Sequence, residues 1–150
     1  MPDKYLDDFN IGEKVVTQGI TLTDAHLVNW AGLTMDFYPL HMNEEHAKKT
    51  QFGTRIAHGP LIFAMAIGLA YISGFYGDSI IAWLGLENMR IPRPTMIGDT
   101  IRVELEIKEK RETSKQERGI GVVKYTIKNQ KDEDVMIFDC LQLMHRRGGS

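Results

Sequence analysis

Residues 60–73 read PLIFAMAIGLAYIS, and this stretch decides the fold. Pro60 suits the first position of a helix, because its missing N–H would have no partner there. Every residue from Leu61 to Ile72 is apolar or glycine, so the pattern leaves no face for water and predicts a core helix. As a helix the stretch spans ~21 Å, which is short for a membrane crossing that needs ~20 apolar residues. We therefore expect a sheet to wrap around this helix.

The composition is that of a globular protein. The chain has 150 residues, of which 43% are hydrophobic and 25% charged, as expected for a single domain over residues 1–150. A net charge of −2 gives no general attraction to nucleic acid or to an anionic membrane. The first residues show no basic segment followed by an apolar one, so we expect no signal peptide and a cytoplasmic location. Cys140 is the only cysteine, which excludes a disulfide framework and a cysteine metal cluster.

The segment before the core helix predicts a strand followed by a peripheral helix. Residues 14–22 are rich in β-branched side chains and read as one strand, weakened by a glycine at position 19. Thr23 and Asp24 offer a cap for a helix that follows. In that helix we expect Leu27, Trp30 and Leu33 to face inward.

Residues 36–59 predict short elements joined by loops. Pro39 is expected to keep residues 36–41 from being helical. Asn43 is a good cap for a short helix over residues 44–49, whose acidic residues precede its basic ones, as the helix dipole favours. Residues 51–59 read as a loop that enters the core helix.

The second half of the chain changes to strand patterns. We expect strands over residues 79–89, 101–107, 119–128 and 135–145, and the residues at 101–107 alternate cleanly between apolar and polar. The last strand is apolar on both faces and should be central. The order of elements predicts an α+β fold with one antiparallel sheet curled around a helix. Because one helix cannot cover such a sheet on every side, we expect a dimer whose sheets pair edge to edge.

A group of polar residues lies just upstream of the core helix. Asp36 and His41 are five residues apart, and a turn at the intervening proline would let both side chains point into one site. A carboxylate beside an imidazole is suited to handling a water molecule. Tyr38 adds a hydroxyl, and His58 and Gly59 stand at the start of the helix, where amide N–H groups can hold a developing oxyanion.

Three motifs, two in this region and one after the core helix, resemble those of the MaoC-like dehydratases, the (R)-specific enoyl-CoA hydratases. MDFYPLH at 35–41 resembles the family's G-D-x-N-P-L/I-H, and RIAHGPL at 55–61 resembles its I-A/V-H-G-M-L. PTMIGDTIRV at 94–103 resembles the family's strand entry, P-V-x-x-G-D-x-V. The resemblance implies the hot-dog fold, in which a curled antiparallel sheet surrounds one long helix, and it implies a dimer or a dimer of dimers.

The resemblance also implies a reaction and its residues. It makes the chain a hydro-lyase that adds water reversibly to a trans-2-enoyl-CoA, giving the (R)-3-hydroxyacyl-CoA. Asp36 and His41 match the family's catalytic pair, which holds the water that adds to C3, and which of the two is the base stays open. Gly59 matches the glycine whose N–H binds the thioester oxygen. Coenzyme A is part of the substrate, and no separate cofactor is expected.

Two residues depart from the family motif, and a few others are candidates for substrate contact. Met35 stands where the motif has glycine and Tyr38 where it has asparagine, which leaves the reaction class intact and changes the loop beside the reacting carbons. The remaining candidate substrate-binding residues are His58 at the helix entry, Met65 in an acyl tunnel, and Arg90 and Arg93 toward the phosphates of coenzyme A. We expect no metal, because His26, His46 and His145 are scattered without an acidic partner at ligand spacing.

Two other functions are compatible with the same fold. A hot-dog thioesterase commonly has a carboxylate on or near the central helix, and residues 60–73 contain none. A non-catalytic subunit that binds acyl thioesters would be free to lose Asp36 or His41, and this chain has both. Turnover of an enoyl thioester separates these possibilities.

Overall fold

Six antiparallel strands form one curled sheet in a computed structural model that describes residues 1–148. The strands are β1 (Lys14–Val16), β2 (Ile20–Thr21), β3 (Ile80–Arg90), β4 (Thr100–Arg111), β5 (Arg118–Lys128) and β6 (Asp134–His145). Their order across the sheet is β1-β4-β5-β6-β3, and β2 pairs with β4 beside β1. The predicted α+β class with an antiparallel sheet is confirmed, and β6 lies between two strands, as its apolar pattern predicts.

The helices precede most of the sheet in the chain. They are a 3-10 helix (Leu6–Asp8), α1 (Asp24–Thr34), α2 (Pro39–Met42), α3 (Glu44–Ala47) and α4 (Gly59–Ile72). The helix α4 is the predicted core helix, and it begins one residue earlier than expected, so that Pro60 is its second residue. Within the described chain no helix combines the length and the apolar character that a membrane crossing needs.

The core lies between one side of α4 and the concave face of the sheet. Alternate residues of β4, the ones predicted to share a face, are fully buried: Ile101, Val103, Leu105 and Ile107. From α4, buried Leu61, Ile62, Ala66, Leu69 and Ala70 join the same cluster. Burial raises the pKa of the Cys140 thiol in β6 to about 12, so this cysteine is a packed and unreactive side chain.

The opposite side of α4 remains open to solvent in the single chain. Tyr71 is 71% exposed and Ile72 is 59% exposed. The expectation that every face of this helix is buried is therefore wrong for one chain by itself. The physical reason is that the sheet covers one side of the helix only.

Two expectations for the N-terminal part also need correction. The predicted strand 14–22 is divided, because the Oγ1 of Thr17 accepts the N–H of Val103 at 2.9 Å in place of a strand carbonyl. In α1, Leu27 is buried as predicted, whereas Leu33 is 78% exposed. Leu33 lies six residues after Leu27, on the side of the helix that faces away from the core.

Candidate active site

The chain turns toward the site at the end of α1. Met35 has φ 66° and ψ 14°, in the left-handed region, and its N–H donates to the carbonyl of Ala31 at 2.7 Å. This conformation ends the helix and directs the chain into Asp36. The Oδ1 of Asp36 accepts the N–H of Tyr38 at 3.3 Å, which closes a small turn around the carboxylate.

The next element, α2, holds His41. It begins at Pro39, so residues 39–41 are helical. The expectation that this proline keeps residues 36–41 from being helical is therefore wrong for residues 39–41. A proline at the first helical position loses no hydrogen bond, since its N–H would have been unpaired there. The Nδ1 of His41 lies 2.8 Å from the carbonyl oxygen of Ile56. Because a carbonyl can only accept, Nδ1 carries the hydrogen, and Nε2 keeps a lone pair for a proton.

Asp36, His41 and His58 come together although 22 residues separate the first from the last. One nitrogen or carboxylate oxygen from each lies within 4.8 Å of the other two. The Nε2–H of His58 donates to the carbonyl oxygen of Asp36 at 2.9 Å, and its ring lies 4.1 Å from that of His41. Within residues 1–148, these three form the group that could hold a metal ion, and the same spacing accommodates a water molecule. The expectation of no metal stays a prediction.

Among the described residues, the backbone N–H of Gly59 at the start of α4 has no hydrogen-bond acceptor. Pro60 has no N–H, and the N–H groups of Leu61 and Ile62 both donate to the carbonyl of His58, at 3.1 and 3.3 Å. As the first helical residue, Gly59 has an N–H without an acceptor inside the helix. The helix dipole adds partial positive charge at the same point.

A cavity of about 170 Å³ opens beside this amide. Its wall includes His41 and Gly59, together with Arg93, Thr95 and a set of apolar side chains: Ile56, Ala57, Ile62, Ile91, Pro94, Val135 and Met136. A small group bound there would be in reach of both an imidazole and a free amide. The surroundings are largely apolar, which strengthens hydrogen bonds and charges inside the cavity.

The other candidate residues lie around or outside this cavity. Tyr38 is 61% exposed, and its ring centroid is 6.1 Å from that of His41. Arg93 is on the cavity wall, where its Nε pairs with Glu133 at 2.8 Å. Arg90 is exposed at the end of β3. Met65 lines a different pocket, of about 280 Å³, together with Ile20, His26, Gly68, Leu69 and Ile72.

Two residues of this region have positions in the site that the sequence patterns did not predict. Arg55 joins the first turns of two helices, since it donates to Asp24 at 2.8 Å and to Glu44 at 3.0 Å. Its hydrogen bond with Asp24, ahead of that with Glu44, raises the pKa of Arg55. Thr95 is buried and lines the cavity at a position where the motif quoted above has valine. That difference was the available signal for Thr95, whereas the ion pairs of Arg55 depend on the tertiary structure.

Comparison with known proteins places the chain among relatives of similar sequence. It is 37% identical to Protein MaoC of Klebsiella aerogenes over 107 residues, which is 71% of this chain and 31% of that protein. It is 32% identical to the uncharacterized protein YdeM of Bacillus subtilis, covering 87% of this chain and 91% of that one. It is 31% identical to an (R)-specific enoyl-CoA hydratase of Rhodospirillum rubrum, covering 65% of each chain. The chain thus spans about a third of Klebsiella MaoC and most of YdeM.

Solved structures confirm the fold, and a sequence family covers most of the chain. A monoamine oxidase regulatory protein from Archaeoglobus superposes with a TM-score of 0.91 at 35% identity, covering 96% of this chain and 95% of that one. A Mycobacterium tuberculosis protein described as a double hot-dog fold superposes with a TM-score of 0.84 at 20% identity, covering 98% of this chain and 46% of that one. This likeness confirms the hot-dog fold that the motifs implied. The family described as the MaoC like domain matches residues 8–129, and the chain therefore belongs to the MaoC-like dehydratase family.

Proposed function

We propose that the protein adds water reversibly to a trans-2-enoyl-CoA and forms the (R)-3-hydroxyacyl-CoA. The observation that carries this proposal is the position of His41, which is within 4.8 Å of a carboxylate oxygen of Asp36 on one side and lines the cavity with Gly59 on the other. The hydratase of R. rubrum, at 31% identity, supports the same reaction class. An isolated carboxylate and imidazole would support many reactions, whereas a nearby oxyanion donor favours chemistry at a thioester carbonyl or at a double bond conjugated to it.

In the proposed reaction His41 is the base. Its Nδ1–H is held by Ile56, so Nε2 takes a proton from a water molecule that Asp36 orients. The water oxygen forms a bond to C3, the C2–C3 π electrons move toward the thioester, and an enolate oxygen develops. The Gly59 N–H stabilises that oxygen, and the proton taken by His41 is delivered to C2. One water is consumed, and no redox change occurs.

The cavity favours a short acyl group. Its volume of about 170 Å³ is below the ~300 Å³ at which pockets for drug-sized ligands begin. Tyr38 and Arg93 border the approach and are proposed to contact the substrate, Arg93 together with Arg90 toward the phosphates of coenzyme A. Because Met65 lines a separate pocket, its proposed contact with an acyl chain would require a chain long enough to reach along α4.

We also propose that the chain forms a homodimer through β3. This strand is at the edge of the sheet, so one side of its backbone has no neighbouring strand. It carries exposed apolar side chains, namely Ile81, Trp83, Leu84 and Met89. An unprotected apolar edge strand is a pairing surface. Pairing two copies there would cover this patch, and light scattering after size exclusion would measure the mass of the particle.

The first experiment is the loss of enoyl-thioester ultraviolet absorbance with crotonyl-CoA, followed by chiral analysis of the product. We expect a decrease to an equilibrium and (R)-3-hydroxybutyryl-CoA, unchanged by EDTA. Asp36→Asn is the test variant, and we expect it to lose nearly all activity. It should fold normally, because an amide oxygen can still accept the Tyr38 N–H and preserve the turn. Normal folding of this variant with near-wild-type turnover would contradict the mechanism. Release of free thiol would favour a thioesterase, and no reaction with short, branched or dicarboxylic enoyl-CoAs would favour a binding subunit.

A further inference from the structure

His58 is buried beneath the proposed active site, where it contacts both Asp36 and His41. Its side chain is fully buried, and it is absent from the wall of the cavity that His41 and Gly59 line. The Nε2–H holds the carbonyl of Asp36 at 2.9 Å. The ring lies against that of His41, with centroids 4.1 Å apart and an angle of 30° between the planes. The peptide bond between His58 and Gly59 carries the free amide.

These contacts leave His58 without direct access to a substrate. Its Nε2 is occupied by the Asp36 carbonyl, and its Nδ1 is buried without a hydrogen-bond partner in the described part of the chain. Any effect of this imidazole on the reaction must therefore act through its neighbours. Those neighbours are the backbone of one proton-handling residue and the ring of the other.

We propose that His58 is a positioning residue, which sets the distance between Asp36 and His41 and aligns both with the Gly59 amide. This role rests on the proposed hydration reaction. Asp36 follows a helix end in an exposed segment, where the Tyr38 N–H is the other hydrogen-bond donor to it in the described chain. Without the Nε2–H of His58, the Asp36 carbonyl loses its link to the start of α4. A displacement of about 1 Å in a catalytic group can cost ~100-fold in rate.

Two substitutions separate the hydrogen bond from the ring packing. His58→Phe keeps an aromatic ring against His41 and removes the donor to Asp36. His58→Gln loses the ring and retains an amide N–H that can occupy the position of Nε2. For His58→Phe we expect a decrease of ~10–100-fold in kcat for crotonyl-CoA with KM changed less than ~3-fold. For His58→Gln we expect kcat within ~5-fold of wild type.

Tyr76→Phe is the control for a loss of stability alone. It removes a buried hydrogen bond, from Tyr76 to the hydroxyl of Tyr125 at 2.7 Å, beyond the opposite end of α4. We expect its melting temperature to decrease by an amount similar to that of His58→Phe, with kcat unchanged. If kcat follows the melting temperature across the three variants, the role of His58 is structural and the proposal is wrong.

A crystal structure of His58→Phe gives a readout that does not depend on activity. We expect the Asp36 carboxylate to move by ~1 Å relative to His41. Unchanged positions of both side chains would overturn the positioning role, whatever the enzyme catalyses. Wild-type protein that hydrates no enoyl-CoA would instead overturn the proposed function, so the two failures are distinguishable.

Discussion

The Nδ1–H of His41 donates to the carbonyl oxygen of Ile56 at 2.8 Å, and this hydrogen bond fixes which ring nitrogen is basic. Ile56 is itself tied to the rest of the site, since its N–H donates to the carbonyl of Leu40 at 3.4 Å and it bridges to Met96. The imidazole is thus held by a loop that lies between α3 and α4. A histidine held through Nδ1 presents Nε2 as a proton acceptor, which is what the proposed base requires.

The tautomer of His41 leads to a prediction for His41→Asn. The asparagine amide lies near the position of Nδ1, so it retains the hydrogen bond to Ile56 and lacks a group at Nε2. We expect kcat for crotonyl-CoA to fall by ~10²–10⁴-fold, the usual contribution of a general base. The free energy of unfolding should change by less than ~1 kcal/mol, because the hydrogen bond remains. Urea denaturation and initial rates measure the two quantities, and substantial activity in this variant would exclude His41 as the base.

Substitution of Gly59 tests the amide as an oxyanion donor. Gly59→Pro removes the N–H, and the first helical position accepts proline after an extended residue, here His58 with ψ 131°. Pro60 disfavours helical dihedrals for any residue with a Cβ at position 59, a cost that the alanine control shares. Loss of one such donor typically costs ~10²–10³-fold in kcat. Gly59→Ala is the control, since it keeps the N–H and places a Cβ 3.3 Å from the Cδ1 of Ile91, a flexible side-chain end. We expect the alanine variant to lose less than ~10-fold, and equal losses in the two variants would indicate a steric effect instead.

The left-handed residue at the end of α1 predicts a stabilising substitution. Met35 is 81% exposed with φ 66°, so its side chain gains little from burial while its backbone adopts a conformation that favours glycine. Met35→Gly should raise the free energy of unfolding by ~0.5–1 kcal/mol, after the greater entropy of glycine in the unfolded chain is subtracted. Leu33→Gly, two residues earlier and within the helix, should instead lower it by ~1 kcal/mol. Thermal denaturation of both variants measures the difference, and the same sign for both would contradict the assignment.

The regular elements could be predicted because their patterns are local. Alternation at 101–107 predicts a strand, the unbroken apolar run at 61–72 after Pro60 predicts a core helix, and the structure has a strand and a helix there. The effect of Pro39 was harder to predict, because a proline can end one helix or begin the next. Which of the two occurs depends on contacts with residues later in the chain. The division of strand 14–22 depends on Thr17. Its hydroxyl accepts the N–H of Val103, 86 positions away, which would otherwise donate to a strand carbonyl.

The site was predictable as a set of residues and not as an arrangement. The motifs placed Asp36, His41 and Gly59 in the same region, and the turn between the first two was expected from Pro39. The tautomer of His41 and the buried position of His58 depend on carbonyls 15 and 22 residues away, for which the sequence has no local signal. The left-handed Met35 did have a signal, because the related motif has glycine at that position.

A buried carboxylate on the sheet gives a prediction for acid stability. Asp139 in β6 is 3% exposed, and its Oδ2 accepts hydrogen bonds from Lys108 at 2.6 Å and Asn88 at 2.9 Å. Burial alone would raise the pKa of Asp139, but the bonds from Lys108 and Asn88 outweigh it, and the pKa is lowered from 3.8. A carboxyl whose pKa is lower in the folded state stabilises the protein above its unfolded pKa. That stabilisation is lost as the pH falls from about 3.8 through the folded value.

Asp139→Asn should therefore change both the free energy of unfolding at neutral pH and the way in which that free energy depends on pH. At pH 7 we expect the free energy of unfolding to decrease by roughly 1–3 kcal/mol, because a charge-assisted hydrogen bond is lost inside the protein. As the pH falls below about 3.8 the difference between the variant and the wild type should shrink, and the two should converge only below the lower folded pKa of Asp139, where the wild-type carboxyl is protonated in the native state as well. Glu45→Gln is the control, because Glu45 pairs with Lys48 on the surface, where the Glu45 side chain is 80% exposed. Loss of this charge should change the free energy of unfolding by less than ~0.5 kcal/mol at any pH. Urea denaturation at intervals between pH 2 and pH 7 measures these curves, and a constant difference between Asp139→Asn and wild type across that range would show that the effect is one of packing and not of charge.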